Sequence, residues 1–139
     1  MSLKLKQRLD ILGVEKLVFD ERLRIAGTID LFARSRKDKK LYYIIDHKSN
    51  AEIEQENKFN SFCLDPISHI PDIAFWHYAL QLSLYEFILK YSGYVPRDSK
   101  FKLILNHVTP MKAKLIELPN LESEIKDMVV WWMSEKLKN

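Results

Sequence analysis

Residues 41–46, Leu-Tyr-Tyr-Ile-Ile-Asp, are apolar at every position but the last and rich in aromatic and β-branched types. A strand of that composition has no face to give to water, so it belongs at the buried centre of a layered fold. It also runs straight into Asp46-His47-Lys48. Burying a carboxylate and an ammonium costs several kcal/mol unless the two are paired or hold a metal ion. Any fold for this chain must therefore cover both faces of this strand and find a use for the charges at its end.

The rest of the chain supplies the covering layers. Residues 15–20 read as a short strand ending in a charged turn at Glu21-Arg22, and residues 24–34 as a second, with Ile25, Ile29 and Leu31 apolar. The turn Ser-Arg-Lys-Asp-Lys-Lys at 35–40 reads as a solvated hairpin tip, so the first three strands are expected to be antiparallel neighbours. Residues 49–72 are irregular, punctuated by Pro66 and Pro71. A helix follows over about 72–91, where Ile73, Trp76, Leu80, Leu84, Phe87 and Tyr91 recur at the spacing of one buried face and Gly93 ends it. Strands are expected at 100–108 and 112–118. The closing helix, about 121–137, has Glu122 and Glu124 in its first turn and Lys136 and Lys138 near its end, in the order that complements the helix dipole. The order β-β-β-α-β-β-α predicts an α/β or α+β domain with a central mixed sheet.

Composition narrows the function classes. At 139 residues, 47% apolar and 29% charged, the chain suits one domain with one core. No run approaches the ~20 apolar residues of a membrane span, and the N-terminus lacks the apolar stretch of a secretory signal, so a cytoplasmic location and no membrane partner are expected. Cys63 is the single cysteine, which excludes an internal disulfide and a cysteine-ligated iron–sulfur cluster within this chain. The net charge of +3 is neutral towards nucleic acid, because carboxylates gathered at a metal offset basic surface used for phosphates. There is no glycine-rich phosphate loop.

The chemistry lies at the strand ends. Asp46 and Lys48 are two residues apart on a strand, so their side chains share a face. One strand earlier, Gly27-Thr28-Ile29-Asp30 ends an apolar segment on a second carboxylate. Two carboxylates converging beside a lysine suit phosphodiester hydrolysis. Their oxygens fit Mg²⁺ or Mn²⁺, and the lysine can orient or deprotonate a water or stabilise the transition state.

The ordered set Gly-Thr-Ile-Asp at 27–30, Ile-Ile-Asp-His-Lys-Ser at 44–49 and Gln-Leu-Ser-Leu-Tyr at 81–85 resembles the RecB-like and phage-exonuclease branch of the PD-(D/E)XK nuclease superfamily. The usual forms there are G-x-[IV]-D, D-Y-K-T and Q-L-x-x-Y. The stretches 65–71 and 77–85 are especially similar to phage members, and the resemblance covers about residues 15–108. It implies a restriction-endonuclease-like core, a sheet flanked by helices. It implies metal binding by Asp30, Asp46 and the backbone carbonyl of His47, with Lys48 as the catalytic lysine. Gln81 and Tyr85, four apart on one helical face, would support the site or contact DNA, and Glu15 matches a glutamate often found at the start of the first strand, as a metal ligand or a structural residue. Two positions depart from the usual pattern, His47 for tyrosine and Ser49 for threonine. Relatives also place a ligand-bearing helix before the first strand. Here only about fourteen residues precede Glu15, so residues 1–139 are expected to form a single domain with that helix short or lacking.

The expected function is a divalent-metal-dependent DNA nuclease, an exonuclease of phage or bacterial replication, recombination or repair, with DNA as partner and a homo-oligomer or partner protein left open. Two alternatives stand beside it: a catalytically incomplete nucleic-acid-binding module of the same fold, and a structural or assembly domain using Trp131 and Trp132 as a partner surface. The His47 side chain alternates away from Asp46 and Lys48 and reads as packing. His77, four residues before Gln81, reads as surface or packing, and His69 and His107 as structural. Cys63 is read as a bystander, and Trp131-Trp132 as helix packing rather than a base-stacking platform.

Overall fold

A computed structural model describes residues 3–49 and 53–138. In chain order the elements are α1 (Leu3–Arg8), β1 (Leu9–Asp20), β2 (Ile25–Ser35), β3 (Leu41–Lys48), α2 (Ala74–Tyr91), β4 (Lys100–Val108), β5 (Ala113–Leu118) and α3 (Glu122–Leu137). The five strands form one mixed sheet in the order β1-β2-β3-β4-β5. β1/β2, β2/β3 and β4/β5 are antiparallel and β3/β4 is parallel. The parallel pair is joined by the crossover that contains α2, as a parallel connection requires. The fold is α+β, in the order expected from the sequence, with the short α1 added at the front.

β3 lies at the centre, as its composition demands. On one face Ile44 and Tyr42 join Val18, Ile29, Phe32, Leu103 and Leu105 beneath Ala79, Leu82, Ile88 and Leu89 of α2. Tyr42 stacks between Phe32 and Phe101, with ring centroids 5.5 Å apart in each pair. On the opposite face Ile45 packs with Leu9, Leu31, Ala33 and Ile104, and Leu5 of α1 closes over them. At ~25 cal/mol per Å² of apolar surface removed from water, this double burial is what fixes β3 as the core strand. Among the described residues no helix is long and apolar enough to cross a membrane.

Three sequence expectations are corrected. β1 starts at Leu9 rather than Glu15. Its register against β2 shifts between Ile11 and Gly13, and Glu15 has a left-handed φ of 49°. Those two irregularities break the period-2 signal that would have revealed the strand. The helix begins at Ala74, because Ile73 is still extended. Its buried residues are Ala79, Leu82, Ser83, Tyr85, Glu86, Ile88 and Leu89. Trp76, Leu80, Leu84, Phe87 and Tyr91, expected to form the buried face, are half-buried flanks. The helix packs on the sheet by one side and on α3 by another, so apolar residues run most of the way round it and periodicity does not single out the sheet side. Gly93 ends the helix at φ 82°, a conformation open to glycine without strain.

Candidate active site

The antiparallel ladder between β2 and β3 runs from Arg34↔Tyr42 to Leu31↔Ile45 and stops there. Beyond it the chain of β2 changes phase. Ile29 packs beneath α2, whereas Leu31 and Ala33 lie on the far face of the sheet and Phe32 returns to the α2 side. Asp30 sits at this phase change and supplies by its side chain what the ladder no longer supplies, its Oδ2 accepting the His47 N–H at 2.8 Å. In an extended strand the N–H and C=O of one residue leave by the same edge. The His47 carbonyl therefore lies on the Asp30 side of β3.

Asp46 and Lys48 follow from strand alternation: both share the face of Ile44, towards α2. Asp46 is 8% exposed. Lys48 Nζ lies 3.1 Å from Asp46 Oδ2, yet it is not aligned as a donor, and that buried oxygen has no hydrogen-bond partner among the described residues. Lys48 is held from its other side by Tyr78 of α2, whose ring centroid is 4.9 Å from Nζ.

The charges respond to one another. Burial pushes the Asp46 carboxyl above its ordinary value, the Asp30 carboxyl beside it pushes the same way, and Lys48 only partly offsets them. For Asp30 burial also acts upward, but the His47 N–H, the Asp46 carboxyl and the nearby cations outweigh it and hold Asp30 below the usual range. Burial would lower Lys48, yet the Asp46 carboxylate more than compensates and keeps it a firm cation. The site thus holds one carboxyl held low, one carboxyl pushed up by burial and one ammonium. A buried carboxylate oxygen lacking a donor, beside a second carboxylate, is a donor set that a hard divalent cation fits.

Gln81 and Tyr85 form a second, adjoining group. Gln81 Nε2 donates to the Tyr85 hydroxyl at 3.1 Å, and the Tyr85 ring lies against Gly27 of β2. Gln81 is exposed and Tyr85 buried. Glu15 is exposed on the edge strand β1. Among the described residues it does not join Asp30 and Asp46 in a set of ligand atoms all within 4.8 Å of one another.

Sequence reasoning missed two neighbours. Tyr78 was legible as the residue three before Gln81 on the same helix. Asn106 interrupts the apolar run of β4, is buried, and its Nδ2 lies 3.0 Å from His47 Nδ1. The exposed His47 side chain is thereby tied to β4 on the face away from Lys48. His69 pairs with Glu124 at 3.2 Å.

No protein-family model matches the chain, and no curated protein matches it. The crystal structure of a "putative exonuclease" from Eubacterium rectale does superpose, over 99% of this chain, with a TM-score of 0.53 and 14% sequence identity. What the two share is a fold. The chain spans 48% of the length of that protein, about half. The shared portion contains the whole sheet and all three helices described above.

Proposed function

We propose that this chain is a divalent-metal-dependent deoxyribonuclease of the PD-(D/E)XK type, an exonuclease acting in phage or bacterial DNA replication, recombination or repair. The observation that carries the reading is the convergence of Asp30, Asp46 and Lys48 where the β2–β3 ladder ends, with a buried Asp46 oxygen left without a donor. The fold shared with a protein named as an exonuclease supports it. So does the ordered set of three motifs.

Asp30, Asp46 and the His47 carbonyl would hold Mg²⁺ or Mn²⁺. When bound, that ion neutralises phosphate charge and lowers the pKa of a water. Two carboxylates suffice for such an ion, since Mg²⁺ keeps several waters and takes substrate phosphate oxygens as further ligands. Asp30 positions β3 through the His47 amide, so the two strands present their carboxylates together. Lys48 stays protonated, and its ammonium is suited to donate to a non-bridging phosphate oxygen and to orient the attacking water, stabilising the charge that builds on phosphorus. Tyr78 keeps that ammonium over the cleft. Gln81 and Tyr85 set the distance between α2 and β2 above it.

The absence of Glu15 from the carboxylate pair favours a second reading, a DNA-binding module that keeps the cleft but does not cut. Incubating end-labelled linear and covalently closed circular DNA with the protein and Mn²⁺ or Mg²⁺ separates the two. Cutting of the linear substrate alone, abolished by EDTA, is the expected result. DNA retained but uncut with either metal would establish the binding module.

A further inference from the structure

The loop 61–72, irregular by sequence, contains a small antiparallel hairpin. Cys63 N–H donates to Ile70 O at 2.9 Å, Asp72 N–H to Ser61 O at 3.0 Å, and Phe62 bridges Pro71. The hairpin sets Cys63 and Asp72 on facing arms. Directly after it, the first turn of α2 brings round His77, whose N–H bonds to Ile73 O at 3.1 Å. Cys63 Sγ, an Asp72 carboxylate oxygen and a His77 ring nitrogen all lie within 4.8 Å of one another, and His77 Nε2 is 2.6 Å from Asp72 Oδ1. Cys63 is half-buried and the other two are exposed.

We infer that Cys63, Asp72 and His77 form a second metal site, distinct from the carboxylate pair and selective for Zn²⁺ or a similar thiophilic divalent ion. The donor set decides the class of ion. Sulfur, imidazole nitrogen and one carboxylate oxygen suit Zn²⁺ and are poor ligands for Mg²⁺, whereas Asp30 and Asp46 offer only oxygen. Tetrahedral bonds of about 2.0–2.3 Å put ligand atoms roughly 3.3–3.6 Å apart. The ion therefore needs the Asp72–His77 pair to open from 2.6 Å by roughly 0.7–1 Å, within reach of side-chain rotation at an exposed pair. Binding displaces the Cys63 proton to solvent, so thiolate and carboxylate together balance the charge of the ion. Cys63 and Asp72 also line an open groove of about 650 Å³ beside α3, which gives an ion a path in. With three protein ligands the fourth position is left for water. The consequence for the fold is that the hairpin is pinned to the start of the helix that carries Tyr78, one residue beyond His77.

Titration of the metal-free protein with Co²⁺, a spectroscopic stand-in for Zn²⁺, tests this without any activity assay. The expected result is a thiolate-to-cobalt charge-transfer band with the d–d intensity of a four-coordinate site, saturating at a single equivalent and bleached by Zn²⁺. The band should persist in Asp46→Asn, vanish in Cys63→Ser, and need at least about tenfold more Co²⁺ in His77→Gln. No band in the wild type would overturn the assignment. So would a band that His77→Gln leaves unchanged, because that would be a lone-thiol adduct. Circular dichroism of each variant identifies any that fail to fold; the wild-type titration then decides alone.

Discussion

Gly27 of β2 lies directly against the hydroxyl end of the Tyr85 ring. A Cβ built on Gly27 would lie 2.9 Å from Tyr85 Cζ and 3.0 Å from its hydroxyl oxygen, closer than side chains pack. Each is a defining residue of a separate motif, one on β2 and one on α2, and their contact sets how near the helix comes to the strand that carries Asp30. Gly27→Ala should therefore destabilise the protein by about 1–3 kcal/mol, the usual range for an overpacked site, and displace Tyr85. In a Tyr85→Ala background the same substitution should be nearly neutral. Urea unfolding of the four variants measures the coupling; an equal effect of Gly27→Ala in both backgrounds would contradict it.

Asp20 should govern the acid limb of stability. It is 1% exposed and accepts the Leu23 N–H at 3.0 Å, the Ser92 hydroxyl at 2.8 Å and the Arg22 guanidinium at 3.1 Å. Burial pushes its carboxyl up, but Arg22, Leu23 and Ser92 together outweigh burial and hold it below 3.8. A depressed folded-state value means the contribution is full above the unfolded value and is lost as pH falls through the folded one. Asp20→Asn should lower stability at pH 7 while making it less dependent on pH below about 4. Thermal melts across that range provide the check, and parallel acid limbs for wild type and variant would be the contrary result.

Asp46 has the opposite sign. Its raised carboxyl means that the native state binds the proton more tightly than the unfolded chain does, so ionisation at neutral pH opposes folding. Removing the charge also removes the partner of Lys48, but the Lys48 side chain is 28% exposed against 11% for Asp46 and can hydrate. The net expectation for Asp46→Asn is a Tm higher by a few degrees, with the loss of the further rise that Mg²⁺ or Mn²⁺ is expected to give the wild type. Differential scanning fluorimetry with and without each metal tests both parts. A metal-induced shift that survives in Asp46→Asn would place the ion elsewhere.

Tyr78 should matter through its ring, whose centroid lies 4.9 Å from Lys48 Nζ. A cation–π contact at a half-buried site is worth about 0.5–2 kcal/mol, so Tyr78→Leu should slow cleavage by roughly 2- to 30-fold. Steady-state rates at saturating metal would show it, and an unchanged rate in Tyr78→Leu would contradict it.

Much of this was legible in the sequence where local pattern and tertiary demand agree. Residues 41–46 had to be central because nothing in them tolerates water, and Asp46 and Lys48 had to share a face because strand side chains alternate. The misses come from places where the pattern is bent. β1 hid behind the register shift near Gly13 and the left-handed Glu15. The buried line of α2 was misplaced because the helix is apolar on two sides, and small residues, Ala79 and Ser83, mark where it is fully covered. The phase change at Asp30, which lets a carboxylate take over from the ladder, is a three-dimensional event with no periodic signature. The Cys63–Asp72–His77 group depends on a hairpin whose pairing only the fold reveals.

Lys48 is expected to act beside the Asp30–Asp46 pair, and single-turnover cleavage of a linear DNA duplex with Mn²⁺ by wild type and Lys48→Ala tests that most directly. The predicted result is metal-dependent cutting by the wild type and a loss of at least about a hundredfold in Lys48→Ala, the scale of a removed transition-state donor. Equal cleavage rates in the two proteins, with both folded, would contradict it.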